Sequence, residues 1–149
     1  MRQYKLGIAV LSLFIILILV IVGQAGYYVY DQVRVVTYEQ VLEREHENLE
    51  EIEQVEFRIS DSGDHRFVFE EDAELIQRLI EEPSEMGLQK TSGYTSELRY
   101  MIWFSPGSLW IDVSEEKILV GTDMYRVTNR NILFDLIQET EEDLEWEEI

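Results

Sequence analysis

The run His46-Glu47-Asn48-Leu49-Glu50 has the residue types that most nearly match a catalytic motif. In the zinc-protease helix motif, two histidines four residues apart bind zinc and a glutamate activates a water molecule. Here Glu50 stands where that motif has its second histidine, and the sequence indicates no third ligand. We therefore expect no zinc at this run and interpret it as the solvated face of an acidic helix.

A second group of carboxylates raises the question of calcium, which prefers clustered oxygen ligands. Its members are Asp61, Asp64, Glu70, Glu71 and Asp72. Their spacing is not that of an EF-hand. Three of them have another explanation. Asp61 and Asp64 are typical of a turn over residues 61–64, and Asp72 is typical of a helix cap. We expect no cofactor, and calcium at the acidic loops stays an open alternative.

Other signatures of catalysis are missing from the sequence. It contains two histidines and no cysteine, and it has no Ser-His-Asp order, phosphate-binding loop or dinucleotide-binding glycine motif. Paired carboxylates hydrolyse glycosides, but that reaction needs a cleft for which a small domain has little room. The sequence therefore predicts a protein that is not an enzyme. A carboxylate-based hydrolase is the least favoured alternative.

Charge is distributed unevenly along the 149 residues. Arg2 and Lys5 are the only charged residues before Asp31, and the region after Tyr30 holds 10 basic and 31 acidic residues, a formal charge of −21. This acidity argues against binding of nucleic acid, whose phosphates require a basic surface. The absence of cysteine excludes disulfides, thiol catalysis and a lipoprotein anchor.

The apolar segment near the N-terminus predicts a membrane anchor. Leu6 to Val22 has Ser12 as its only polar side chain, so residues 6–26 are long enough to form a transmembrane helix. Residues 1–5 carry positive charge and are expected in the cytoplasm, which places the rest of the chain outside the cell. A signal peptide cleaved near Gly23-Gln24-Ala25 is the alternative, and the length of the apolar run favours the anchor.

After the anchor, the apolar period changes from helical to alternating. Residues 27–53 are charged, and Val29, Val33 and Val36 lie at helical spacing, which predicts a juxtamembrane helix or stalk. Apolar and polar side chains then alternate in five segments of residues 54–138, which predicts five strands. The segments are 55–59, 67–69, 98–104, 109–113 and 118–127.

Two amphipathic helices complete this domain, one capped by Asp72 and the other by Thr128 or Asn129. Short turns make neighbouring strands antiparallel, and each helix needs a sheet face for its single apolar stripe. We predict an α+β domain of order β-β-α-β-β-β-α, in which both helices cover one face of a five-stranded antiparallel sheet. An acidic tail follows at residues 139–149.

Several runs in this domain also form a recognisable series. They are VEFRIS, FVFEEDAELIQRLIEE, LRYMIWF, GSLWIDVS, KILVG, MYRV and NILFDLIQ. Between Ile52 and Gln138 the chain resembles small extracytoplasmic domains of Firmicutes, of the YhfM-like type, whose function is unknown. The resemblance implies a compact α+β domain behind one anchor or lipobox, and it implies no catalytic residue. This chain departs from the lipoprotein members because it has no lipobox cysteine.

Alternation also divides the side chains of the sheet between two faces. We expect the inward set to be Val55, Phe57, Phe67, Phe69, Tyr100, Ile102 and Ile111. The outward set is then Arg58, Arg66, Arg99, Met101, Trp103, Trp110, Asp112 and Leu119, with Arg126 joining it. Arginine, tryptophan and methionine are enriched in the cores of interfaces, so the first six of these residues form the predicted interaction face. The alternative is an ordinary solvated face with cation–π contacts and cross-strand ion pairs.

These expectations combine into a single-pass protein of the cell envelope that is anchored in the membrane by its N-terminal helix. Its extracytoplasmic domain would bind a protein or peptide partner, as an accessory subunit or a sensor. A structural role, with the stalk mediating oligomerisation, is the alternative. The sequence leaves the oligomeric state and the identity of the partner open.

Overall fold

A computed structural model of the chain describes residues 2–46, 48–61, 64–93 and 98–148. The chain divides into two compact units, residues 1–34 and 35–149. Helix α1 (Arg2–Val33) makes up the first unit. Within its part from Ser12 to Val33, a window of 18 residues has a mean hydropathy of 2.2, and none of that window is buried. By length and composition α1 can cross a membrane, which agrees with the predicted anchor.

The second unit is built on one antiparallel sheet. Its strands are β1 (Val35–Thr37), β2 (Gln54–Asp61), β3 (Asp64–Glu70), β4 (Gly87–Lys90), β5 (Tyr100–Ser105), β6 (Leu109–Val113), β7 (Lys117–Val120), β8 (Asp123–Val127) and β9 (Glu147–Glu148). They are arranged in the order β1-β4-β8-β7-β6-β5-β2-β3-β9. The helices are α2 (Tyr38–Glu45), α3 (Ala73–Glu81) and α4 (Ile132–Glu141), and a short 3-10 turn spans Leu49–Glu51. The predicted α+β class is therefore confirmed.

The predicted number of five strands is wrong, because the described residues form nine. One predicted strand over residues 118–127 is two strands, since Gly121 adopts a φ of +57° and reverses the chain between β7 and β8. Strand β4 lies between α3 and β5, where no strand was predicted, because Leu88 is the only apolar side chain among its four residues. Strands β1 and β9 lie in the predicted stalk and in the predicted tail, and β9 is only a two-residue pairing with β3.

The predicted stalk over residues 27–53 is also corrected. Thr37 caps α2 in a capping box with Gln40, since each side chain accepts a hydrogen bond from the other residue's backbone N–H. The next three apolar residues of α2, Tyr38, Val41 and Leu42, are completely buried. Residues 35–53 therefore belong to the domain, because burying these side chains stabilises the fold more than a solvated stalk would.

One apolar core joins the helices to one face of the sheet. The buried side chains of α2, α3 and α4 belong to the same core cluster as the alternate residues of β2, β5 and β6. Leu119 and Met124 are buried as well, but they lie outside this cluster because they are on the opposite face. We call that opposite face the outer face.

Side-chain caps fix where the last two helices of the domain begin. Asp72 caps α3, as predicted, by accepting hydrogen bonds from the backbone of the first turn. Helix α4 is capped by Asn131 instead of Thr128 or Asn129. The reason is that Asn131 is buried and its amide nitrogen donates to the carbonyl of Ser114, which holds the side-chain oxygen toward the helix.

Candidate interaction face

Strand register decides which side chains reach the outer face. Phe57 pairs with Ile102, which pairs with Ile111, and all three are buried in the core. Residues one position away on each strand therefore point outward. The outer face carries Glu56, Arg58, Phe67, Phe69, Met101, Trp103, Trp110, Asp112, Lys117, Leu119, Met124, Arg126 and Glu147.

Two phenylalanines on this face were predicted to point inward, and that prediction is wrong. Val68 pairs with Phe57 and is buried, so Phe67 and Phe69 on either side of it point outward. Their rings meet edge to face at 5.8 Å, and Phe69 is 52% exposed. The signal that would have placed them is the turn, because pairing of Asp61 with Asp64 fixes every later pair of this hairpin.

Arg66 was predicted on the interaction face and lies on the helix side instead. It pairs in register with Ile59, which is buried in the core. One guanidinium nitrogen lies 3.6 Å from a carboxylate oxygen of Glu141, and the guanidinium carbon lies 5.3 Å from the ring centre of Trp146. Arg66 therefore ties the sheet to the end of α4 and the chain that follows.

Arg99 is the second predicted face residue that the structure places elsewhere. It precedes β5, and one of its guanidinium nitrogens lies 3.6 Å from the other carboxylate oxygen of Glu141. The hydroxyl of Tyr100 donates to the same carboxylate. Burial, and next the hydrogen bond with Glu141, raise the pKa of Tyr100. Arg66 and Arg99 thus share one carboxylate on the helix side.

The other four predicted face residues do come together. Trp103 of β5 pairs directly with Trp110 of β6, and their rings meet edge to face with centroids 6.2 Å apart. Trp103 is 38% exposed, and Trp110 and Met101 are half-buried. Arg58 lies beside Met101 on the neighbouring strand. Aromatic pairs of this geometry stabilise a fold by more than the burial of their apolar area provides. The two rings also form a rigid apolar surface.

Charged groups border these aromatic rings. The Nε of Arg58 donates a hydrogen bond to the carboxylate of Glu56 on the same strand. Asp112 lies between Met101 and Leu119 in register and is half-buried. Burial raises the pKa of the Asp112 carboxyl, and no charge or hydrogen bond from the described residues opposes that effect. The outer face therefore combines apolar area with a carboxylate that pairs with no cation among the described residues.

Among its described residues, the run that resembled a zinc motif does not form an α-helix. His46 ends α2, its Nδ1 accepts a hydrogen bond from the backbone of Asn48, and its Nε2 lies 3.3 Å from the carbonyl oxygen of Pro106. Glu50 is exposed in the 3-10 turn, and Glu47 lies outside the described residues. Both ring nitrogens of His46 are thus engaged within the protein, where a metal would need one of them.

The predicted carboxylate cluster is largely explained by local bonds. Asp72 caps α3, and Glu71 accepts a hydrogen bond from the side chain of Gln54. The side chains of Asp61 and Asp64 lie outside the described residues. Within the described parts of the chain, no group of three or more histidine, aspartate or glutamate residues is arranged to hold a metal ion.

An open cleft of about 600 Å³ lies at the start of α4. Glu115, Glu116 and Asp135 contribute carboxylates to its lining, and Arg130 lies among them. The Nε of Arg130 lies 2.6 Å from the carboxylate of Asp135, so this acid is already paired with a cation. Glu115 and Glu116 are exposed to solvent.

No protein-family model, curated protein or solved structure matches the chain. The resemblance to YhfM-like domains therefore stays a prediction.

Proposed function

We propose that this chain is a single-pass membrane protein whose second unit lies outside the cytoplasm and binds a protein partner through the outer face, without catalysing a reaction. The observation that carries the proposal is the paired rings of Trp103 and Trp110 at the solvent-facing side of the sheet. Aromatic residues in the middle of an exposed patch, bordered by an arginine and acids, are the composition that interface cores favour.

The membrane part of the proposal is supported by α1 and by the charges beside it. A helix of this length and hydropathy matches the thickness of a bilayer. Arg2 and Lys5 precede the apolar segment, and positively charged flanks are retained in the cytoplasm. Along the chain, a single residue, Arg34, separates α1 from β1.

Topology can be tested with one introduced thiol, because the chain has no cysteine. Glu115→Cys places a thiol at an exposed loop of the second unit. A membrane-impermeant maleimide should label this variant in intact cells as fully as in lysed cells. Labelling only after lysis would refute the extracytoplasmic location. The mass of the membrane-bound chain, intact or shortened near Ala25, distinguishes an anchor from a cleaved signal peptide.

The binding role is tested on the full-length chain in membranes by crosslinking and capture. Trp103→Ala with Trp110→Ala should remove the crosslinked species that the wild-type protein forms. Trp146→Ala is the matched control, because the ring of Trp146 packs against Arg66 on the helix side. Crosslinked species that persist in the double variant would contradict a role for this face.

A further inference from the structure

We propose that the partner of the outer face is a second copy of this chain, bound face to face about a two-fold axis parallel to β5. The inference rests on the interaction role proposed above, and it specifies the partner. It is carried by charge complementarity, because Arg58 and Asp112 flank Met101 on the two strands that border β5.

The pair of complementary charges consists of Arg58 and Asp112. Met101 on β5 pairs in register with Arg58 on β2 and with Asp112 on β6, so the two charges flank it at the same level. A two-fold axis along β5 exchanges β2 with β6 between facing copies. Arg58 of each protomer then faces the partner's Asp112, which gives two identical ion pairs.

The same axis also exchanges the apolar side chains Phe67 and Leu119 between the two copies. Phe67 lies beyond Arg58 on β3, and Leu119 lies beyond Asp112 on β7. The axis brings Phe67 of one protomer over the partner's Leu119. Met101 and Trp103 lie on β5 itself, so each meets its own counterpart near the axis. Two contacts do not match in this way, because the axis also places Glu56 over the partner's Trp110 and Glu147 over the partner's Met124. Glu56 keeps its hydrogen bond from Arg58 there.

The two charges are able to make these bonds. None of the described residues pairs with the Asp112 carboxylate, whose raised pKa follows from burial alone. The Nε of Arg58 donates to Glu56, but a guanidinium has five N–H donors and can serve a second carboxylate. The side chain of Arg58 is 51% exposed, so its remaining donors can be reached from outside.

Net charge would oppose dimerisation at most surfaces of this chain. The region after Tyr30 carries a formal charge of −21. On the outer face, however, the described strand side chains include three acids and three basic residues: Glu56, Asp112, Glu147, Arg58, Lys117 and Arg126. The charges of these described side chains therefore sum to zero, so electrostatic repulsion between two copies is weak at this face.

The first experiment places one thiol near the axis. Full-length Met101→Cys is reconstituted in phosphatidylcholine vesicles and treated with a bismaleimide of about 10 Å span, which is the spacing of sheets packed face to face. A covalent dimer is expected. Gln77→Cys is the control, because it lies on the exposed side of α3, away from the outer face, and its thiols should not be crosslinked. Equal crosslinking of both variants, or none at Met101→Cys, overturns the proposal.

The second experiment exchanges the charges in the Met101→Cys background. Arg58→Asp alone and Asp112→Arg alone should each lower the dimer yield about tenfold, because like charges would then face each other. A mixture of the two variants should restore the yield, as should the double exchange in one chain. Failure of both to restore it refutes the two-fold register, whether or not either single variant is misfolded.

Failure of this inference is distinguishable from failure of the proposed function. If no dimer forms, but Trp103→Ala with Trp110→Ala still abolishes crosslinking to another protein, the face is an interface for a different partner and the second-copy inference is wrong. If neither dimer nor any other species depends on the tryptophan pair, the proposed function is wrong as well.

Discussion

The hydroxyl of Tyr100 donates a hydrogen bond to the carboxylate of Glu141, joining the first residue of β5 to the last residue of α4. Guanidinium groups of Arg66 and Arg99 lie 3.6 Å from the same carboxylate. Glu141 is 18% exposed, so these interactions are only partly screened by solvent. One acid of a highly acidic chain thus holds two of its basic residues and anchors the end of α4.

We therefore expect Glu141→Gln to destabilise the domain by about 1–3 kcal/mol, the range for a hydrogen-bonded charge that loses its partners. Glu139→Gln is the control, because the Glu139 side chain is 74% exposed and its Oε2 lies 3.9 Å from Nη2 of Arg78. Its effect should be much smaller. Urea unfolding of the full-length chain in detergent, followed by tryptophan fluorescence, reports on the second unit, which contains all three tryptophans. Equal effects of the two substitutions would contradict this role for Glu141.

Removal of one buried hydroxyl should stabilise the fold. Tyr38 is completely buried, and none of the described residues forms a hydrogen bond with its hydroxyl. An unpaired buried polar group costs about 1 kcal/mol or more, so Tyr38→Phe should raise the free energy of unfolding by about 1 kcal/mol. Tyr125→Phe is the matched control, since the Tyr125 hydroxyl donates to Asp123. A loss of stability in Tyr38→Phe would indicate a partner for the hydroxyl.

Alkaline pH should destabilise the domain, because burial opposes the ionisation of three tyrosines. Burial raises the pKa of Tyr38, Tyr100 and Tyr125 above the ordinary value of 10.0. The unfolded chain then releases protons at lower pH than the folded chain does, so stability is full below about pH 10 and falls as the pH rises further. Unfolding free energies measured from pH 8 to 11.5 should show this decline. They should show less of it in Tyr38→Phe, and an equal decline in both proteins would argue against ionisation of Tyr38.

The sheet and its core were predictable where alternation is strong. Phe57, Ile102 and Ile111 were assigned inward from their spacing, and the register places them in one buried row. Phe67 and Phe69 were assigned to the wrong face because they were placed by their hydrophobicity and not by the register that the turn sets. A shift of one residue moves every side chain of a strand to the other face, so the register of the hairpin decides.

Elements with few apolar residues were less predictable. Strand β1 has three residues and α2 has eight, which is too short for a clear period. The capping box from Thr37 to Gln40 was the available signal for α2. Nothing local indicates that Arg66 and Arg99 approach Glu141, because those contacts depend on how α4 packs against the sheet.

A side chain added at Gly107 should destabilise the fold. The φ of Gly107 is +127°, and an added Cβ would lie 2.5 Å from Nε2 of His46. Gly93 is the matched control, because its φ is +113° and its Cβ would meet no atom of the described residues within 4 Å. Gly93→Ala should cost about 1–2 kcal/mol for the backbone alone, and Gly107→Ala should cost more. Urea unfolding compares the two, and an equal cost would mean that the His46 ring moves away freely.

Asp112→Asn should have opposite effects on the monomer and on the proposed dimer. Burial raises the pKa of Asp112 above 3.8, so the folded monomer holds this proton to higher pH than the unfolded chain. Monomer stability from this group is therefore full below about pH 4 and is lost as the pH rises through the folded pKa. In dilute detergent at pH 7, Asp112→Asn should consequently unfold at higher urea than wild type, with the difference vanishing near pH 3. In vesicles at pH 7, the same substitution in the Met101→Cys background should lower the yield of crosslinked dimer, because the partner's Arg58 loses its carboxylate. Lower stability of the dilute Asn variant would show that a group within the monomer already neutralises Asp112.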